Sequence, residues 1–414
     1  MGPLAGIRVL DLSRVLAGPL AGQILADMGC DVVKVERPGS GDDTRQWGPP
    51  YARDAMGRAS AMTTYFQCAN RGKRSIALDL STEAGAGLVG QLASTADVVI
   101  ENFKTGALAR YGLDYASVSR RNPGVVYCSI TGYGATGPYA ERPGYDPIVQ
   151  AYGGLIGITG EPDREPTRCG VAVVDILSGV YAATGISAAL FRRTQTGRGQ
   201  QLDLGLLDVQ MASLVNVAQN YLGAGVVGTR MGSAHPSVVP SQVFRAADGS
   251  LMVTAGNDAQ FAALCRVLGQ PAWAADPRFA TNSARVAHRD VLVPALADLL
   301  AKATRSQWVA RFDEAGVPAA PVNAIDEAFA DPQVVARGTQ VMLEDPELGR
   351  VPTVASPLRF SEDAVEYRRP PPRLGEHTRE VLGEWLGLDP AALEALERAG
   401  TIRPFRREDN SHDR

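Results

Sequence analysis

Histidine is scarce in this chain of 414 residues: only His235, His288, His377 and His412 occur, and none is spaced against another histidine or a cysteine as a metal-ligand pair. No metal site is therefore expected, and structural roles are the default for all four. The five cysteines, Cys30, Cys68, Cys128, Cys169 and Cys265, are odd in number and contain no C-x-x-C. That argues against a disulfide framework or a zinc knuckle and points to a reducing cytoplasm. Charge of one sign is missing too: 41 Lys and Arg face 45 Asp and Glu, a net −4, which is not the footprint of a nucleic-acid-binding protein. A G-x-S-x-G elbow is absent. Asp11 lies where a signal peptide would need its apolar core, and position six lacks the Ser or Thr of a myristoylation signal. Of two uncharged stretches, Ile176–Phe191 is short for a membrane span and Val209–Thr229 holds Gln210, Asn216, Gln219 and Asn220, so both are expected to be buried helices of a soluble protein with no membrane partner. Glycine (44) and proline (27) are plentiful, which predicts many tight turns.

The first 130 residues alternate β-branched runs with helical stretches. Strands are expected at 7–12, 31–36, 74–80, 97–101 and 125–130, with helices at 17–28 and 82–95 and helical character around 106–121. Strands without polar alternation, separated by helices, predict a doubly wound α/β domain with a mostly parallel sheet. The region 175–222 reads as mainly helical, broken by TGRGQ and a strand at 201–206. A Gly/Pro/Ser-rich linker at 228–240 leads to a smaller unit with a strand at 250–255 and helices near 258–269, 289–301 and 305–315. The stretch 330–375 reads as irregular, followed by helices at 377–386 and 389–400, the second opened by Asp389-Pro390. The final twelve residues, RPFRREDNSHDR, are expected to fray.

Several segments could carry chemistry. Gly18, Pro19 and Gly22 open a helix after a strand, and Glu36 ends the next strand. The spacing, AGPLAG rather than G-x-G-x-x-G, favours a helix packed on a sheet over a nicotinamide-dinucleotide site. Arg37, the run Asn70-Arg71-Gly72-Lys73-Arg74, and the segment Asn102-Phe103-Lys104 with Arg110 all follow expected parallel strands. Each alone reads as a solvated surface run; together, at strand carboxyl ends, they suit a ligand with several phosphates. In TGYGATGPY, Gly132, Gly134 and Gly137 permit either a plain turn or close approach of a ligand. Asp175 stands before an uncharged helix in GVAVVDILSGVYAA. It reads as a helix N-cap, as a carboxylate nucleophile held ionised by the helix terminus, or as both.

These segments, together with RVLDLSRVLAGP, VVKVERPGSGDDTR, GYDPIVQAYGGLIGITGEP and GEHT, closely resemble the family III coenzyme A transferases over nearly the whole length. The resemblance implies an acyl-CoA:carboxylate CoA-transferase with Asp175 as catalytic aspartate. It places coenzyme A contacts at Val15, Leu16, Ala17, Arg37, Asn70, Arg71, Gly72, Lys73, Asn102, Phe103, Lys104, Arg110, Thr131, Gly132, Tyr133 and Gly134. It implies a Rossmann-like large domain from both chain ends (1–222 and 331–414), a smaller α+β domain within 223–330, and an interlinked, ring-like homodimer. Coenzyme A is then a substrate, and no tightly bound cofactor is expected. Formyl-CoA transferase has glutamine where this chain has Leu16, and a glycine-rich loop where it has SAHPSVVPSQ. The related 2-methylacyl-CoA racemases carry His-Asp where this chain has Tyr145-Asp146, which removes one of their two bases. A racemase and a non-catalytic CoA-binding homologue stay as alternatives, and similarity to members acting on dicarboxylic acids such as succinate suggests the acceptor class.

Overall fold

The computed structural model describes residues 1–403 and 405; most of the expected frayed tail, His412 included, lies outside the described residues. The chain divides into two units: residues 1–153, 170–218 and 335 onward form the first, and residues 154–169 with 219–334 form the second. The segment 154–169, read from sequence as part of the large domain, thus belongs to the second unit.

Six short apolar runs build the sheet of the first unit: β1 (Arg8–Asp11), β2 (Asp31–Glu36), β3 (Lys73–Ala77), β4 (Val98–Glu101), β5 (Val126–Thr131) and β6 (Gln200–Gly205). All pair in parallel, in the order β3-β2-β1-β4-β5-β6. This is the Rossmann order, and its topological switch point lies between β1 and β4, where an open α/β sheet leaves a crevice outside the strand carboxyl ends. Helices α1 (Ala17–Asp27), α2 (Glu83–Thr95), α3 (Tyr115–Arg121), α4 (Asp146–Tyr152), α5 (Val173–Thr196) and α6 (Leu206–Ser213) belong to the same unit.

The central strands are buried on both faces and mostly apolar, with charged residues such as Asp11, Lys34 and Lys73 among them, whereas the edge strand β6 is largely exposed. Val9, Val32, Val98 and Val126 point into one layer with Ala21 and Leu25 of α1 and Ala182 and Ile186 of α5. Leu10, Val33, Val99 and Tyr127 point into the opposite layer with Leu88, Val89 and Leu92 of α2. Each fully buried aliphatic side chain contributes about 1.5–3 kcal/mol, so these layers dominate the stability of the unit. A Cβ at Gly179 would stand 2.9 Å from the Ala17 carbonyl oxygen, so glycine there lets α5 lie close against the start of α1. Asp175, one turn earlier, is thereby set beside the loop that follows β1.

Helix α5 spans 24 residues, longer than the sequence stretch suggested, and is long and apolar enough by length and composition to cross a membrane. One face buries Val174, Ser178, Ala182, Ile186 and Leu190, while Val180, Tyr181 and Phe191 are exposed. The other uncharged stretch is not one helix: α6 ends at Ser213, and a new helix starts at Val215, whose φ is 42°.

The second unit holds an antiparallel sheet of β7 (Ser241–Ala246), β8 (Gly249–Thr254) and β9 (Ala319–Pro321), with β8 in the middle. Helices α7 (Asp258–Val267), α8 (Arg289–Leu300) and α9 (Arg305–Ala315) contribute Phe261, Leu264, Leu292, Leu296, Trp308 and Phe312 to its core. Thr304 and Gln307 form a capping box at the start of α9. His288 Nδ1 bonds the Ala284 carbonyl, 2.8 Å, an anchoring role.

The returning chain is less irregular than its prolines suggested, since Gln340–Asp345 and Gly349–Val354 pair as a hairpin. Pro352 sits within it and hides the alternation. Helix α10 (Thr378–Leu386) then buries Val381, Leu382 and Trp385 in the large core, and α11 (Pro390–Arg398) is capped by Asp389, which accepts from the Ala392 amide.

Candidate functional site

The loop after β1 is tethered residue by residue. Lys34 Nζ donates to the Ser13 carbonyl, 2.7 Å, and the Asp11 carboxylate accepts the Ser13 amide, 2.9 Å. The Asn102 side chain, from the end of β4, accepts the Arg14 amide and donates to the Arg14 carbonyl, 2.9 and 2.7 Å. The Asp42 carboxylate accepts the Val15 amide, 3.2 Å. Val15 has φ = 70°, a conformation that costs a β-branched residue about 1–3 kcal/mol and survives only where its surroundings impose it. Here the surroundings are a buried ionic lattice: Lys34–Asp42 at 2.8 Å and Lys73–Asp11 at 2.9 Å, all four fully enclosed. Burial opposes ionisation of Asp42, yet Lys34 beside it holds the carboxyl down to about 2. Burial pulls Lys73 down to about 8 in spite of Asp11.

This lattice corrects one expected group of carrier contacts. Asn70, Arg71 and Lys73 are buried, and their polar atoms are committed inside the protein. Lys73 Nζ donates to Asp11, the Pro19 carbonyl and Asn70 Oδ1, while Arg71 forms a double hydrogen bond with Asp27, 3.0 and 2.6 Å. Gly72, φ = 76°, donates its amide to the Arg369 carbonyl. Removing such groups from water for a phosphate would leave a buried carboxylate uncompensated. They brace strand β3 rather than face a ligand. Glu36 is equally spent, held by Arg45 at 2.7 Å through both oxygens and by the Ser75 hydroxyl, so it offers nothing to a ribose.

The crevice at the switch point contains Asp175. A cavity of about 200 Å³ is walled by Arg14, Val15, Leu16, Ala17, Asn102, Phe103, Lys104, Thr131, Gly132, Arg142, Tyr145 and Asp175. A second, of about 260 Å³, shares Arg14, Asp43 and Phe103 with the first and carries Arg37, Leu78–Ser81 and Arg110. A surface groove of about 880 Å³ along α2 continues from it through Leu80, Ser81, Arg110 and Tyr111. Arg37 and Arg110 are exposed, and neither forms an ion pair within 4 Å among the described residues, although the Arg37 charge reaches Asp79 in the same cavity. Leu78–Ser81 were not singled out in sequence. The signal was their place just past β3, obscured by the basic run before it.

Of the TGYG segment, Thr131 and Gly132 line the cavity. Thr131 Oγ1 accepts the Gly134 amide, 2.9 Å, and the Tyr133 ring packs edge-on against Tyr139 and Tyr152. A Cβ at Gly132 would lie 2.5 Å from the Gly144 Cα, and one at Gly144 only 2.3 Å from the Gly132 Cα. Two glycines crossing backbone to backbone bring residues 142–145 onto the cavity wall.

Asp175 is not the N-cap of α5. Ala172 holds that position, and the capping carboxylate comes from Asp146, which accepts the amides of Val174, 2.8 Å, and Asp175, 3.3 Å. Gln150 donates to its other oxygen, 2.6 Å. Asp175 is left with its own carboxylate in the cavity. Burial, and then the Asp146 charge, push it up to about 7, so it is not held fully ionised as its helix-terminal place suggested. Asp11, Glu36 and Asp42 each rest against a cation and titrate low; Asp175 rests against a like charge in a cleft, the mark of a functional carboxyl. The remaining histidines are anchored in place: His377 Nδ1 accepts the Ser75 amide and His235 Nδ1 that of Ser237.

The sequence model of "CoA-transferase family III" matches residues 4–378. A succinate–glutarate CoA-transferase of Agrobacterium fabrum is 50% identical over 399 residues, 96% of this chain and 98% of that protein. A succinyl-CoA:glutarate CoA-transferase of Mus musculus is 42% identical, covering 97% of this chain and 91% of that protein. Among solved structures, a CAIB/BAIF family protein from Brucella suis superposes with a TM-score of 0.82 at 47% identity, over 93% of this chain and 99% of that one. With a match across the whole of the α/β scaffold and the cleft, the chain belongs to CoA-transferase family III and is a CoA-transferase.

Proposed function

We propose that this CoA-transferase moves coenzyme A from an acyl-CoA to a small dicarboxylic acid of the succinate and glutarate class, with Asp175 as nucleophile. The observation that carries the reading is a pair of adjoining cavities that share Arg14, Asp43 and Phe103, with the Asp175 carboxyl in one and Arg37 and Arg110 in the other. The curated relatives named above act on succinate and glutarate, which supports the acid class.

The Asp175 carboxylate attacks the thioester carbonyl, the C–S bond breaks, and a mixed anhydride and CoA thiolate form. The thiolate then attacks the aspartyl carbonyl, releasing the first acid and leaving an aspartyl-CoA thioester. The acceptor carboxylate displaces the thiolate to give a second anhydride. Attack of the thiolate on the new acyl carbonyl releases acyl-CoA and restores Asp175. Protons neither enter nor leave, and the bond energy of one thioester passes to the next. Each tetrahedral intermediate needs an oxyanion donor. The amides of Val174 and Asp175 are committed to Asp146 and that of Gly134 to Thr131, so the Gly132 amide on the cavity wall fills the role. Arg37 and Arg110 grip the phosphates, so that binding energy remote from the reaction supports the chemistry. Val15–Ala17, Phe103 and Lys104 flank the pantetheine arm.

The same proposal includes a homodimer, supported by the exposed Val180, Tyr181 and Phe191 on α5, and a cytoplasmic location, supported by five cysteines of which none forms a disulfide among the described residues. The test is hydroxylamine trapping of the acyl-enzyme after mixing with succinyl-CoA. A hydroxamate on Asp175, lost in Asp175→Ala with coenzyme A binding retained, is expected. Undiminished turnover in that variant overturns the assignment.

A further inference from the structure

The reacting end of the cleft carries more positive charge than coenzyme A can use. The pantetheine arm is uncharged, and the phosphates belong with Arg37 and Arg110 at the far end. Yet Arg14, Lys104 and Arg142 stand around the cavity that holds Asp175. Arg14 is committed to Asp43, 3.3 Å, and lies over Phe103. Lys104 is an exposed, flexible ammonium. Arg142 differs from both. Its guanidinium stacks 3.9 Å from the Tyr139 ring centroid, and Nη1 donates to the Tyr152 hydroxyl, 3.3 Å. Tyr139 and Tyr152 are themselves locked edge-to-face with each other and with Tyr133, centroids 5.7–5.9 Å apart. The Gly132–Gly144 crossing fixes the segment beneath. No carboxylate among the described residues pairs with Arg142.

An exposed guanidinium stacked on Tyr139 and tethered to Tyr152 through Nη1 keeps its Nε–Nη2 edge for a carboxylate, which that edge can meet in two parallel hydrogen bonds. The acyl carbonyl must lie at Asp175, so an anion met by Arg142 in the same cavity sits on the acyl chain rather than on the carrier. We propose that Arg142 determines acid specificity by binding the distal carboxylate of a dicarboxylic acyl group whose other end reacts at Asp175. The inference rests on the reading of Asp175 as acyl acceptor.

Glutarate and pentanoate share a chain length and a reacting carboxylate and differ in the distal one. With a common acyl-CoA donor the donor half-reaction cancels in the ratio of their kcat/KM values as acceptors. The wild-type enzyme is expected to prefer glutarate. In Arg142→Gln this preference falls at least tenfold, through a raised KM for glutarate with pentanoate little changed, and Arg142→Lys recovers part of it. An equal loss with both acids assigns Arg142 to the reaction centre or to loop structure and overturns the proposal, as does an unchanged ratio. Wild-type enzyme that transfers coenzyme A to neither acid, and yields no trapped acyl-enzyme, refutes the Asp175 reading itself; trapping with no preference for glutarate refutes only the role of Arg142.

Discussion

The Asp146 carboxylate accepts the backbone amide of Asp175 at 3.3 Å, so one acidic residue caps the helix that presents another. The contact has two consequences of opposite sign. It satisfies amides that would otherwise be orphaned at the start of α5, and it places a negative charge beside the carboxyl proposed as the nucleophile. Both can be measured.

The acid limb of the kcat/KM profile is expected near pH 7, with activity rising as Asp175 deprotonates. In Asp146→Asn the neutral amide still accepts the helix amides, but the like charge is gone. The limb then moves to lower pH, while Tm falls modestly because the new NH2 group replaces the oxygen that accepts from Gln150. Asp146→Ala also loses the cap, at a cost of about 1 kcal/mol. A limb that stays in place in Asp146→Asn means Asp146 does not tune the nucleophile.

Asp175→Asn should stabilise the fold while abolishing transfer. A carboxyl whose folded-state pKa is about 7, against an ordinary 3.8, favours the folded state when protonated and weakens it when ionised. The penalty is absent below about pH 4, grows between pH 4 and 7 and is constant above. The gain in unfolding free energy from Asp175→Asn is therefore larger at pH 8 than at pH 4, by on the order of 1–3 kcal/mol after discounting for solvent screening, and Tm follows it. Equal gains at both pH values would place Asp175 in an ordinary aqueous environment.

Arg37→Ala and Arg71→Ala separate a ligand contact from a brace, although both residues follow or flank expected strands in the sequence. Arg37 is exposed in the cleft, and its loss should raise the KM for acyl-CoA several-fold with thermal stability intact. Arg71 is buried against Asp27, and its loss leaves that carboxylate unpaired, costing about 3–5 kcal/mol. Urea denaturation and steady-state kinetics on the same two variants check the division. An unchanged KM in Arg37→Ala removes that residue from the carrier site.

Val15→Gly relieves the positive φ without disturbing the bond from the Val15 amide to Asp42. Stability should hold or rise slightly, since released strain offsets the extra chain entropy. The loop beside Asp175 then loses an imposed shape, and the KM for acyl-CoA is expected to rise. Unaltered kinetics would show that the strained conformation does not serve the carrier.

The large sheet was legible in the sequence because its inner strands are short, largely apolar runs covered on both faces: Asp31–Glu36 came out residue for residue, and the others, the exposed edge strand β6 included, within a few residues. The hairpin at 340–354 was not, since Pro352 and exposed positions blur its alternation. Asp175, Arg37 and Arg110 could be named from local pattern and resemblance; Asp175 lines one cavity, and Arg37 and Arg110 line an adjoining one. Asn70, Arg71 and Lys73 looked like part of the same basic frame and are interior.

Composition and periodicity by themselves determined the class of fold and the strand ends at which a ligand is expected, because burial on two faces marks most residues of the inner strands. Only the tertiary structure decided which charges are free to act. A cation read along the chain has no partner until Asp11, Asp27 or Asp42, drawn from distant segments, is brought against it or withheld. That pairing in low-dielectric surroundings separates a brace such as Lys73 from an open guanidinium such as Arg142, and a silent carboxylate from Asp175.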